Sequence, residues 1–124
     1  TGDAATFYKK GIEASMEQQG VTAPATYFTQ SDVAYNAANG LELIITQKWL
    51  SNYLANGYES WVDWRRTGFP ELHPGPAPLS IDKKIPVRQA YPNTESGLNG
   101  KNYAEAVKAQ GADELNTKLW WDTK

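Results

Sequence analysis

Glu59 and Asp63 stand four residues apart in a segment of helical pattern, so their carboxyls share a face. Two carboxyls on one face suit glycoside hydrolysis, where one protonates the leaving oxygen and the other serves as base or nucleophile. Arg65 and Arg66 follow within a turn. Pairs at i, i+3 and i+4 are commonplace on helix surfaces, so ordinary ion pairing is the expected role of both acids. His73 is the sole histidine and lies between Leu72 and Pro74, while no serine occupies a G-x-S-x-G elbow. A nucleophile–histidine–acid triad therefore has nothing to assemble around, and His73 is expected on a surface loop. The absence of cysteine excludes disulfides, thiolate metal sites and cysteine nucleophiles. There is no D-x-D-x-D-G calcium loop and no glycine-rich phosphate loop. The chain is expected to carry no catalytic residue, no metal and no cofactor.

Aromatic residues are the one excess, with five Trp, seven Tyr and three Phe among 124 residues. Exposed indole and phenol faces stack on the apolar C–H side of a sugar ring, which makes Trp49, Trp61, Trp64, Trp120 and Trp121 the residues to consider. Trp49 lies on an apolar stripe and is expected to pack between helices. Trp61 and Trp64 point to different faces, so at most one is expected to be fully buried. Trp64 over Arg65 or a neighbour would form a cation–π contact, and Trp61, Trp64 and Arg65 are the candidate ligand-binding residues. Trp120 and Trp121 are expected to dock the end of the chain onto the body. With a net charge of −2 and scattered Lys and Arg, nothing points to a nucleic-acid partner. No apolar run approaches a membrane span, and the opening Thr1-Gly2-Asp3 lacks the basic and apolar pattern of a signal peptide.

The elements that must position these side chains are helical. A first helix is expected over residues 4–19, capped by Asp3 and ended by Gly20, with Phe7, Tyr8, Ile12, Ser15 and Met16 on one side. Pro24 sits where a short helix could open, and residues 30–40 read as a connection anchored by Val33 and Tyr35. A second helix follows with Leu41, Ile44, Ile45, Lys48, Trp49, Asn52 and Tyr53 on its apolar stripe, widened by Leu50 and Leu54. Asn56-Gly57 is expected to stop it. A third helix spans 58–66, ended by Gly68 and Pro70. All but one of the seven prolines then fall between Phe69 and Pro92. The run His73-Pro74-Gly75-Pro76-Ala77-Pro78 is expected as a surface loop, and Ile85-Pro86-Val87-Arg88 as extended at best. A last helix is expected over 102–110, with Tyr103, Ala106 and Val107 inward and Gly111 at its end. The division is a helical body at 1–68, Pro-rich loops at 69–98, and a short helix with an aromatic tail at 99–124.

Taken in order, these stretches resemble the C-terminal part of the SusD/RagB family. The resemblance is carried by Gly11-Ile12-Glu13-Ala14-Ser15-Met16 with Gly20-Val21, by Ile45-Thr46-Gln47-Lys48-Trp49-Leu50, and by Asn56-Gly57-Tyr58-Glu59-Ser60-Trp61. It continues through Trp64-Arg65-Arg66-Thr67-Gly68-Phe69-Pro70, Ile85-Pro86-Val87-Arg88 with Tyr91-Pro92 and Glu95, Asn99, Asn102 and Tyr103, and Thr117-Lys118-Leu119-Trp120-Trp121-Asp122. It implies a mainly α fold built in full from helix pairs of the tetratricopeptide type. It also implies a lipid-anchored protein on the bacterial outer membrane that captures glycan, or sometimes peptide, for a SusC-like TonB-dependent transporter. Family members are several times longer and carry a lipidated N-terminal cysteine, so the chain is expected to be a fragment whose first partner is the N-terminal remainder of the same protein. The alternatives are a structural or interaction scaffold without a ligand site of its own, and a glycoside hydrolase using Glu59 and Asp63.

Overall fold

A computed structural model describes residues 2–77 and 82–122. The chain divides into two compact units, the first ending at Glu71 and the second beginning at Leu72. All regular structure among the described residues is helical.

The first unit is built from three helices, α1 (Ala4–Gln18), α2 (Gly40–Ser51) and α3 (Gly57–Thr67), with single turns of 3-10 helix at Ala25–Thr29 and Ala37–Asn39. Asp3 caps α1, its Oδ1 accepting from the Thr6 N–H at 2.8 Å, and that bond lowers the carboxyl pKa from its ordinary value. Gly20 takes the left-handed conformation (φ 74°) that lets the chain leave α1, and Gly68 does the same after α3 (φ 81°). The core lies between α1, α2 and their connection. Tyr8, Ile12, Val33 and Leu43 are buried together, with Met16, Tyr27, Phe28 and Tyr35 packed against them. Two phenols are satisfied within this packing: Tyr8 donates to the Val33 carbonyl at 2.8 Å and Tyr27 to Gln47 Oε1 at 3.0 Å. The Tyr35 hydroxyl would lie 3.1 Å from a Cβ at Gly40, so the start of α2 presses directly on that ring.

Two expectations for α2 need correction. Its buried positions are Gly40, Leu43 and Ile45, whereas Leu41, Ile44 and Leu50 from the expected stripe are exposed. Apolar residues occupy almost every side of this helix, so their spacing carries little directional information; neighbours on two sides, α1 and α3, decide which positions are covered, and Leu43 and Ile45 are buried on roughly opposite sides. The helix also ends at Ser51, ahead of Asn56-Gly57. Asn56 instead caps α3, accepting from the Glu59 N–H at 3.2 Å. Leu54 makes the turn between them at φ 59°, with its side chain 93% exposed. The left-handed region is strained for a side chain with a Cβ, and no packing compensates here. Replacing Leu54 with glycine is therefore expected to stabilise the protein by about 1 kcal/mol, read as a higher denaturant midpoint at unchanged slope. A loss of stability would show that the side chain packs against something.

In the second unit, α4 (Glu95–Leu98) is a single turn and α5 (Gly100–Gln110) carries Tyr103, Ala106 and Val107 on its half-buried side. Gly111 ends α5 at φ 102°. The turn at α4 falls within the stretch expected to be loop. His73 is exposed on the irregular segment after α3; Pro78, the last residue of that Pro-rich run, lies outside the described residues. Val87 and Arg88 are held by a shared acceptor, the Leu115 carbonyl, at 2.9 and 3.2 Å. The aromatic tail departs from expectation at Trp120, which is 88% exposed, while Trp121 is 40% exposed. Trp120 thus contributes little to docking the end of the chain.

Candidate functional site

The acids of α3 do not face each other across a cleft. Both reach toward one cation from α2: Lys48 Nζ lies 3.0 Å from Glu59 Oε1 and 2.7 Å from Asp63 Oδ2. Asp63 is buried and binds Arg66 as well, at 3.0 Å through its other oxygen. Burial is the largest influence on the Asp63 carboxyl and raises its pKa. The combined effect of Lys48 and Arg66 is greater and leaves it lowered from the ordinary 3.8. The same contacts raise the pKa of Lys48, led by its bond to Asp63 and then by Glu59. A general acid must hold its proton near neutral pH, which is the opposite condition. Glu59 and Asp63 thus clamp α2 to α3 through Lys48, while the i, i+3 pairing that their spacing predicts is made by Asp63 with Arg66.

This clamp has a pH signature. The folded-state pKa of Asp63 is depressed, so its contribution is complete above the unfolded value near 3.8 and is lost as pH falls through the still lower folded value. Stability is therefore expected to fall more steeply below pH 3.8 in the parent than in an Asp63→Asn variant, measured as denaturant midpoint against pH. Parallel curves would remove Asp63 from that role.

The three candidate ligand-binding residues are only partly brought together. The Arg65 guanidinium lies 3.8 Å from the centre of the Trp61 ring. Tyr58 packs on Trp61 at 5.5 Å between centroids with a tilt of 55°. Tyr58, Trp61 and Arg65 thus form a ladder at helical spacing along one side of α3. The cation–π partner of Arg65 is Trp61, four residues back on the same face; Trp64, adjacent in sequence, projects about 100° around the helix. Neither Trp61 nor Trp64 is fully buried, and both are partly exposed. One face of the Trp61 indole is taken by the guanidinium, leaving less aromatic surface for a sugar than composition suggested.

The most developed polar centre lies in the second unit and was not singled out from sequence. Arg88 is 5% exposed, and its guanidinium donates to Asp113 Oδ1 at 2.9 Å. Its Nε donates to the Gln89 carbonyl at 3.0 Å, and the Gln110 side-chain oxygen accepts from Nη1 at 2.6 Å. Asp113 also accepts from the Tyr91 N–H at 3.1 Å and from the Tyr103 hydroxyl at 3.2 Å. Tyr91 and Tyr103 pack edge to face at 5.8 Å, with Arg88 5.3 Å from the Tyr91 ring centre. Desolvation first, then Asp113, raises the Tyr103 pKa. The cluster ties 88–91 to the end of α5 and Asp113. Its groups are occupied with one another, which suits a structural pin. The 25-residue separation of Arg88 from Asp113 left no local signal.

Among the described residues no group of three metal-ligating side chains occurs, and no helix is long and apolar enough to cross a membrane. The described residues are mainly α, without strands among them, and match SusD-like structures, which are helical folds of the tetratricopeptide type. The chain belongs to the SusD-like family: the family model described as "Starch-binding associating with outer membrane" matches residues 1–92. A SusD-like structure from the Bacteroidetes superimposes on all of this chain with a TM-score of 0.84 at 29% identity. A chitin-binding protein matches the whole chain at 40% identity and a TM-score of 0.76. A chitin-binding SusD homolog from Flavobacterium johnsoniae matches 99% of it at 29% identity and a TM-score of 0.80. The chain covers 26%, 29% and 32% of those three structures' own lengths. No curated protein matches it.

Proposed function

We propose that the protein to which these residues belong captures glycan at the surface of a bacterial outer membrane, without catalysis, and passes it to a SusC-like TonB-dependent transporter. In this reading the whole protein is lipid-anchored, and the present residues are its C-terminal part, working with an N-terminal remainder. The observation that carries the proposal is the agreement along the whole chain with a chitin-binding protein at 40% identity, joined to family membership over 1–92. The glycan class this favours is a β-linked N-acetylglucosamine oligomer; a peptide is the alternative ligand. We assign Trp61, Trp64 and Arg65 as the residues of this stretch that would meet it, because aromatic faces and a guanidinium suit both the apolar side and the hydroxyls of a sugar. Calorimetry of the full-length parent with chitin oligosaccharides tests the proposal. Saturable binding is expected, and folded protein that binds neither these nor other glycans and peptides would overturn it.

A second reading is favoured by Arg65 over Trp61 and by the Lys48 clamp on Glu59 and Asp63. Here the 1–68 body, the 69–98 Pro-rich segment and the 99–124 end form a scaffold, and ligand contacts lie elsewhere in the protein. The double variant Trp64→Ala, Arg65→Ala in the parent separates the readings. A loss of affinity with retained folding supports direct contact, and unchanged affinity supports the scaffold.

A further inference from the structure

An asparagine followed by glycine exposes its side-chain amide to attack by the next backbone nitrogen, because glycine has no side chain to hinder the approach. The chain carries three such pairs, Asn39-Gly40, Asn56-Gly57 and Asn99-Gly100, and each stands at the start of a helix. We propose that Asn99 is a self-modification site, converted through a cyclic imide with Gly100 into aspartate and isoaspartate, and that the folded protein spares the other two.

Ring closure requires the glycine nitrogen to swing beside the asparagine Cγ by rotation about the asparagine Cα–C bond. At ψ values of 19° for Asn39, 69° for Asn56 and 33° for Asn99, that nitrogen lies on the far side from the side chain in all three. The ease of opening each helix start therefore decides between them. Gly40 is buried, donates its N–H to the Ala37 carbonyl and presses on Tyr35, so the nitrogen after Asn39 is held. Asn56 caps α3 through the Glu59 N–H, and opening there forfeits that bond. Asn99 makes no such cap on α5, and the element before it is the single turn α4. Its amide is instead engaged from both sides by neighbouring side chains. Asn102 Nδ2 donates to Asn99 Oδ1 at 2.6 Å, and Asn99 Nδ2 donates to Glu95 Oε2 at 3.1 Å. The first bond supports the negative charge that gathers on Oδ1 as the amide is attacked.

The reaction consumes only water. Hydroxide takes the Gly100 N–H proton, the nitrogen bonds to Cγ, and the Cγ–Nδ2 bond breaks, with Nδ2 leaving as ammonia on a proton from water. Water then opens the imide at either carbonyl. Aspartate at 99 sets a second carboxylate beside Glu95. Isoaspartate lengthens the chain by one carbon between α4 and α5, and turns the carbonyl that accepts from the Tyr103 N–H at 3.0 Å into a free carboxylate. Either product loosens the junction of α4 and α5. The inference is independent of glycan binding.

The test stores the folded full-length parent in mildly alkaline buffer and maps its peptides by mass spectrometry at intervals. The peptide holding Asn99 is expected to gain one mass unit and to separate into aspartate and isoaspartate forms. It should do so about fivefold or more ahead of the Asn39 and Asn56 peptides, the factor that one N-cap bond is worth. Denatured parent is the reference, where all three pairs are expected to convert at similar rates. Earlier conversion at Asn39 or Asn56 in folded protein would overturn the proposal, as would an unchanged Asn99 over a time that converts the denatured chain. Gly100→Ala, whose added Cβ meets nothing within 4 Å, is expected to slow conversion strongly with folding intact. Conversion at the parent's rate would exclude the imide route. Asn102→Ala is expected to slow Asn99 several-fold in folded protein alone, and an equal or faster rate would remove that donor from the reaction.

Discussion

Replacing Asp113 with alanine is expected to destabilise the second unit by about 3–5 kcal/mol, the largest effect of any single substitution described here. The side chains of Arg88 and Asp113 are 5% and 12% exposed, so removing the carboxylate leaves a buried guanidinium facing no counter-charge. The Tyr91 N–H and the Tyr103 hydroxyl lose their acceptor in the same step. Arg88→Ala acts through the other half of the pair and also opens a space beside Tyr91. The two effects are strongly coupled because they break one network, so the double variant is expected to lose far less than the sum of the single losses. Tyr103→Phe removes one hydrogen bond and is expected to cost about 1 kcal/mol. Hydrogen exchange at the Val87 and Arg88 amides provides the local readout, since both donate to Leu115 beside the cluster. If Asp113→Ala left their protection unchanged, the cluster would not be what holds this unit together.

The second large effect is expected at Leu43. It is 9% exposed and packs with Tyr8, Ile12 and Val33, so Leu43→Ala removes buried methyl groups and leaves a cavity worth about 2–5 kcal/mol. Leu41 is only two residues earlier on the same helix but 54% exposed, and Leu41→Ala is expected to cost less than about 1 kcal/mol. Comparison of the two by denaturant midpoint measures which of the two positions packs into the core. Equal losses, or a larger loss at Leu41, would contradict the burial of Leu43 in the core. The comparison isolates rotation about the helix axis from helix propensity, because both substitutions introduce the same residue.

These expectations separate stability from ligand capture. The Lys48–Glu59–Asp63–Arg66 clamp and the Arg88–Asp113 cluster contain most of the buried charge among the described residues, and both hold segments together. A loss of glycan binding after mutating either would therefore need a folding control. Trp64 and Arg65 are better probes of direct contact, since neither belongs to the core of the first unit.

Helix ends were legible in the amino-acid sequence because their chemistry is local. Asp3 accepting from Thr6, and Gly20, Gly68 and Gly111 taking positive φ, each depend on residues within one turn. The pairing of Asp63 with Arg66 was legible for the same reason, and so was the family, through the order of its short motifs. The covered positions of α2 were not, because apolar residues surround that helix and only the positions of α1 and α3 decide which are buried. Nor was the role of Asn56 as the N-cap of α3, in a turn that Leu54 rather than glycine reverses. Arg88 and Asp113 lie 25 residues apart, and Lys48 lies 15 residues from Asp63 on another helix, so neither pairing has a period in the sequence. The sequence alone determined the Asp3 cap, the glycine-ended stops of α1, α3 and α5, and which residues could carry charge or stack. Only the tertiary structure decided which charges meet and which aromatic faces remain uncovered, because burial is a property of neighbours brought together by the fold.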